Sequence, residues 1–116
     1  MDTEEYQRLA RTTLLQHPDF QITDKEVMVS WFALGLTGEA GEVADLVKKG
    51  IYHQQGLDHD KLKKELGDVL WYLSALADHL GMSLGEIMQA NIEKLKARFP
   101  EGYDPKRTTF KEGKAE

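Results

Sequence analysis

A chain of 116 residues, 41% of them apolar, is one domain's worth of protein with enough side chains for a core, though not a large one. The net charge of −5 argues against nucleic acid as a standing partner, and the absence of cysteine excludes disulfides and thiolate metal sites. The acidic start MDTEEYQRLA lacks the basic and apolar segments of a secretion signal. No apolar run approaches the ~18 residues of a membrane span, so a cytoplasmic chain with no membrane partner is expected.

In chain order, Tyr6, Leu9, Ala10, Thr13 and Leu14 recur at helical spacing and predict a short first helix that ends before HPDF, with Pro18 as its stop. Asp24 can N-cap a second helix from about Lys25 to Lys49, with Gly50 closing it. The segment IYHQQGLDHD reads as a connection broken at Gly56. A third helix follows from roughly Asp58 to Leu80 and stops at Gly81. Ser83 and Glu86 form a capping box, and Met82 with Ile87 a hydrophobic staple, for a fourth helix that reaches about Phe99. Pro100 and Gly102 end it, and the remaining residues are polar. With no strand-like alternation, the expected fold is all-α: a four-helix-bundle-like domain over residues 1–104, with a loose tail at 105–116.

Two motifs break the apolar pattern. On the second helix Met28, Phe32, Leu36, Val43 and Leu46 form a stripe; Glu39 falls inside it and Glu42 lies roughly 60° to one side. The third helix repeats this, with Glu65 inside the stripe of Leu62, Val69, Leu73, Leu76 and Leu80, and Asp68 offset. In an antiparallel hairpin, residues at equal height have a constant number sum. Glu39 with Asp68 and Glu42 with Glu65 both add to 107, so all four acids are expected at one level, partly withdrawn from water. Isolated, each pair would read as surface acids bonded to lysines one turn away. Together they repel unless neutralised, and neither stripe has a Lys or Arg near that level. An all-oxygen donor set points to a hard divalent cation, Mg²⁺ or Mn²⁺. On the fourth helix Asn91 and Arg98 fall within the stripe of Leu84, Ile87, Met88 and Leu95 and Lys94 borders it, so the three step along one face that is expected to point inward. They read either as solvated positions of an amphipathic helix or, beside a metal, as donors for a polyphosphate.

The stretches GLTGEAGEVADLVKK, KLKKELGDVLWYLSALA and NIEKLKARFPEGYD resemble the MazG-like nucleotide pyrophosphohydrolases, marked by ExxE followed after a gap by ExxD. The resemblance spans residues 30 to 104 and is closest to the short, single-domain members. It implies a Mg²⁺-dependent hydrolase that converts a (deoxy)nucleoside triphosphate to the monophosphate and pyrophosphate. Glu39, Glu42, Glu65 and Asp68 would be metal ligands, Asn91, Lys94 and Arg98 would bind phosphate, and the chain would assemble as a homodimer or homotetramer.

Attack of a water on the α-phosphorus would need a base, for which Glu39 and Glu42 are both candidates. Tyr72, one turn past Asp68, is a candidate contact for sugar or base, beside core packing as its other role; Trp31, Phe32, His17 and Phe20 are weaker candidates. His53, His59 and His79 read as surface. Leu70 and Trp71 face away from the acids, which suggests a second copy of the chain on that side. Two other readings stand beside the first: a phosphoribosyl-ATP pyrophosphohydrolase-like enzyme, and a non-catalytic nucleotide- or metal-binding regulatory bundle.

Overall fold

The structure, a computed structural model, describes residues 1–14 and 25–107. Its described secondary structure is helical: α1 (Thr3–Arg11), α2 (Lys25–Tyr52), α3 (His59–His79), α4 (Leu84–Arg98) and one 3₁₀ turn, Pro105–Arg107. The all-α class expected from the sequence is what these residues form. Met1–Ser83 make one compact unit, and a second begins at Leu84. Asp24, His17, Pro18 and Phe20 lie outside the described residues, as does the tail beyond Arg107. No described helix is long and apolar enough to cross a membrane.

Nine residues are too few for a stable isolated helix, so α1 depends on caps and on its neighbour. Asp2 accepts a hydrogen bond from the Glu5 N–H at 2.8 Å, with Glu4 and Glu5 in the first turn and Arg8 and Arg11 in the last, all favourable to the helix dipole. Three hydrogen bonds hold α1 and the residues just after it to α3 and the turn that follows α3. Arg11 Nε donates to Asp78 at 2.6 Å, Trp71 Nε1 donates to Thr13 Oγ1 at 2.7 Å, and the buried Gln7 donates to the Met82 carbonyl at 3.3 Å.

The main body of the first unit is the antiparallel pairing of α2 with α3. Met28 and Phe32 are its fully buried anchors on α2, and Ser74 and Ala77 the most buried residues on α3. The most buried positions of α3 are thus small residues towards its C-terminal end, where the sequence pattern emphasises leucines. The Phe32 ring meets the edges of Trp71 (centroids 6.1 Å) and His79 (4.9 Å), so His79 is a packed residue and not the surface histidine expected. Asp58 caps α3 through the Lys61 N–H at 3.1 Å. Gly81, at φ 74°, ends it with the Met82 N–H bonded back to the Ala77 carbonyl at 2.9 Å.

The expected end of α2 needs correcting. The helix continues through Gly50 to Tyr52, and the reversal is made by Gln54 (φ 56°) and Gly56 (φ 78°). Gly50 serves close approach instead of termination. A Cβ there would come within 2.7 Å of Leu57 and 2.8 Å of the Gly56 carbonyl oxygen, and the Gly50 carbonyl accepts the Gly56 N–H at 3.1 Å. Trp71 also needs correcting as an outward residue awaiting a second copy, because it is half-buried, its ring packs on Phe32 and its Nε1 donates to Thr13, just past the end of α1.

In the second unit, α4 starts at Leu84, directly after Ser83, where the capping signal places it. The Arg107 side chain donates to the Arg98 carbonyl at 3.2 Å.

Candidate active site

Register positions the acids. Gly35 meets the Tyr72 ring and Gly50 meets Leu57, and each pair of numbers adds to the same 107 as Glu39 with Asp68 and Glu42 with Glu65. The antiparallel pairing is therefore in the register that the acids alone suggested. It forms successive layers along the α2–α3 seam: Tyr72 on Gly35, then Glu39 opposite Asp68, then Glu42 opposite Glu65.

Among the described residues, Glu39, Glu65 and Asp68 each bring a carboxylate oxygen within 4.8 Å of the others. Glu42 is not in this group, although its charge still acts on Glu39. Exposure follows the helical geometry. Glu39 and Glu65, inside the apolar stripes, are half-buried; Glu42 and Asp68, offset from them, are exposed. The expectation that both pairs withdraw from water therefore holds for one acid of each.

The electrostatics agree with the crowding. Burial first, then the charges of Asp68, Glu65 and Glu42, and a hydrogen bond with Glu65, push the Glu39 carboxyl above the usual range for glutamate. Asp45, one turn beyond, has its own cation in Lys49 at 2.8 Å and is held low by it. No ion pair with a lysine or arginine is formed at the acid layers among the described residues. Three oxygen-donor side chains without a protein counter-charge have the chemistry of a hard divalent-cation site.

Tyr72 stands one turn along α3 from Asp68. Its ring is half-buried, set edge-on to Trp71 at 5.1 Å and pressed against the Gly35 backbone. Of the weaker aromatic candidates, Phe32 is core, and Trp31 stacks beside it at 6.5 Å. On α4, Asn91 and Lys94 are exposed, and Arg98 is half-buried with its guanidinium 6.0 Å from the Phe99 ring.

Two residues near the site were not singled out from the sequence. The Tyr6 hydroxyl on α1 is raised in pKa by burial and, secondarily, by the charge of Asp68; nothing in the spacing of α1 signals this. Gly35 did have a signal, since with Tyr72 it satisfies the number sum of the acid pairs.

The comparisons with known proteins concern this same segment. The family model described as the MazG nucleotide pyrophosphohydrolase domain matches residues 30–103, which include all four acids, Tyr72, Asn91, Lys94 and Arg98. A relative named Gene 37 protein, from Mycobacterium phage L5, is 37% identical over 106 residues, covering 88% of this chain and 92% of its own length. No solved structure matches the chain significantly. With the matched segment spanning most of the sequence and Glu39 of the ExxE motif meeting Glu65 and Asp68 of ExxD, the chain belongs to the MazG nucleotide pyrophosphohydrolase domain family.

Proposed function

We propose that the protein is a Mg²⁺-dependent nucleoside triphosphate pyrophosphohydrolase, releasing a (d)NMP and pyrophosphate, with Mn²⁺ able to replace Mg²⁺. The observation that carries this reading is the convergence of Glu39, Glu65 and Asp68 from two helices, inside a domain of a pyrophosphohydrolase family. The donor set fits the cation, and the Glu39 carboxyl is raised first by burial and then by repulsion from the neighbouring acids, which such an ion relieves. Glu39, Glu65 and Asp68 would hold it, with Glu42 completing the set. When bound, a divalent cation neutralises phosphate oxygens and acidifies a water.

The chain's own residues supply the rest. Glu42 stands outside the trio, so of the two base candidates it is the one freer to take the proton of the attacking water. Tyr72, one turn from the acids, would contact the nucleoside. Asn91, Lys94 and Arg98, at i, i+3 and i+7 on α4, would hold the triphosphate and the charge that develops on departing pyrophosphate. A homodimer or homotetramer also belongs to the proposal. Leu66 and Leu70, one turn apart on α3, remain 54% and 39% exposed, whereas Trp71 gives assembly no support.

The test is a panel of ribo- and deoxyribonucleoside triphosphates, with phosphoribosyl-ATP included, incubated with Mg²⁺ and scored for monophosphate and pyrophosphate. Pyrophosphate is expected as the primary product, and Glu42→Gln and Asp68→Asn are expected to abolish turnover while helical content is retained. Orthophosphate as the first product, or full activity in both variants, would sink the reading.

A further inference from the structure

The position of the Tyr72 ring depends on a residue that has no side chain. A Cβ built on Gly35 would overlap the ring at Cε1, Cδ1 and Cζ, so the ring occupies the space any other residue would fill. Its other support is Trp71, edge-on at 5.1 Å and 85°, itself bonded to Thr13, just past the end of α1, at 2.7 Å. The ring thus lies in the α2–α3 seam roughly 6 Å along the helix axes from the layer of Glu39 and Asp68, four residues at ~1.5 Å each. Glycine inside a helix is disfavoured relative to alanine, so its place here calls for a compensating contact. Gly38, Gly41 and Gly67, also helical, have nothing within 4 Å of an added Cβ. Gly35 differs from them in what lies over it.

We propose that Gly35 is a positioning residue for the substrate. Lacking a side chain, it lets Tyr72 lie down in the seam, and the recessed ring forms the surface against which the nucleoside part of the substrate rests, one turn from the carboxylates. This rests on the pyrophosphohydrolase reading, and assigns to α2 a share in nucleoside binding that involves no contact between Gly35 and the substrate. A methyl at position 35 lifts the ring into the space reserved for sugar or base. The phosphate end of the site is untouched, because Glu39, Glu65 and Asp68 keep their places.

The experiment compares wild type, Gly35→Ala, Tyr72→Ala and the double variant. For each it measures kcat and KM with the best triphosphate, the inhibition constant of inorganic tripolyphosphate, and Mg²⁺ affinity. In Gly35→Ala we expect KM to rise about tenfold, with kcat, tripolyphosphate inhibition and Mg²⁺ affinity within about twofold of wild type, a loss in the range of one weakened base–aromatic contact. The double variant should match Tyr72→Ala, since the three atoms nearest the added methyl all belong to the ring that is then removed. If alanine instead wedged the helices apart, Mg²⁺ affinity and tripolyphosphate inhibition would fall together with KM, because the acids are divided between the same two helices; that outcome overturns the proposal. An active wild type whose KM is unmoved by Gly35→Ala, or a double variant worse than Tyr72→Ala, also overturns it. Should Gly35→Ala fail to fold, the double variant must fold and match Tyr72→Ala, and its failure to do so counts against the proposal. A wild type inert toward every triphosphate overturns the pyrophosphohydrolase reading, and this inference with it.

Discussion

At Glu39, burial and the charges of three neighbouring carboxylates act in one direction, raising its proton affinity above that of an ordinary glutamate. The linkage to stability follows from that sign. A group whose pKa is raised by folding favours the folded state below its ordinary value of 4.5, and that contribution is lost as pH rises through the raised value. In metal-free buffer, Glu39→Gln therefore behaves like wild type near pH 4 and melts at a higher temperature than wild type near pH 7. Thermal melts of both proteins in chelator across that range check it. A melting difference that does not change with pH would show that the acids do not repel one another at this residue. Mg²⁺ should also reverse the order at pH 7, because it stabilises only the chain that keeps the ligand.

At the scale of the elements, the α2–α3 hairpin makes a prediction about glycine. Replacing a helical glycine by alanine stabilises an open position by up to about 1 kcal/mol. Gly67 is such a position, with nothing within 4 Å of an added Cβ, whereas a Cβ at Gly50 meets the Gly56 carbonyl oxygen at 2.8 Å. Urea unfolding should show Gly67→Ala at or above wild type and Gly50→Ala below it, by roughly 1–3 kcal/mol, as expected for overpacking. The same hairpin marks how far the sequence could be read. The pairing of Glu39 with Asp68 and of Glu42 with Glu65 is legible because helix periodicity and antiparallel geometry are both arithmetic, and the acids interrupt an otherwise apolar stripe. The end of α2 is not legible, because a glycine that stops a helix and one that admits a returning chain look alike until the returning chain is present. The surroundings of Trp71 and His79 are not legible for a related reason: their partners, Thr13 just past α1 and Phe32 on α2, are distant in sequence, and no local pattern pairs them. The split between exposed Asp68 and half-buried Glu65 did follow from their angles on the wheel.

For the molecule as a whole, the proposed metal site predicts that the acid layers weaken the metal-free chain and that a divalent cation adds stability. A cation that binds only the folded state adds about 2.7 kcal/mol when its free concentration is 100 times Kd, roughly 10 °C in Tm for a chain of this size. Melting in Mg²⁺ against NaCl of equal ionic strength reads this directly, and Asp68→Asn should remove most of the difference. The placement of those carboxylates also bears on how a substrate arrives. A triphosphate diffusing toward a chain of net charge −5 approaches a seam where acids are gathered, so at low ionic strength the field slows encounter instead of steering it. Added monovalent salt shortens the range of that repulsion, and a substrate that travels with its own magnesium carries less charge into it. For the proposed reaction, the species that meets the protein most often is therefore the magnesium–nucleotide complex, and capture is fastest under conditions that would slow an enzyme relying on electrostatic attraction.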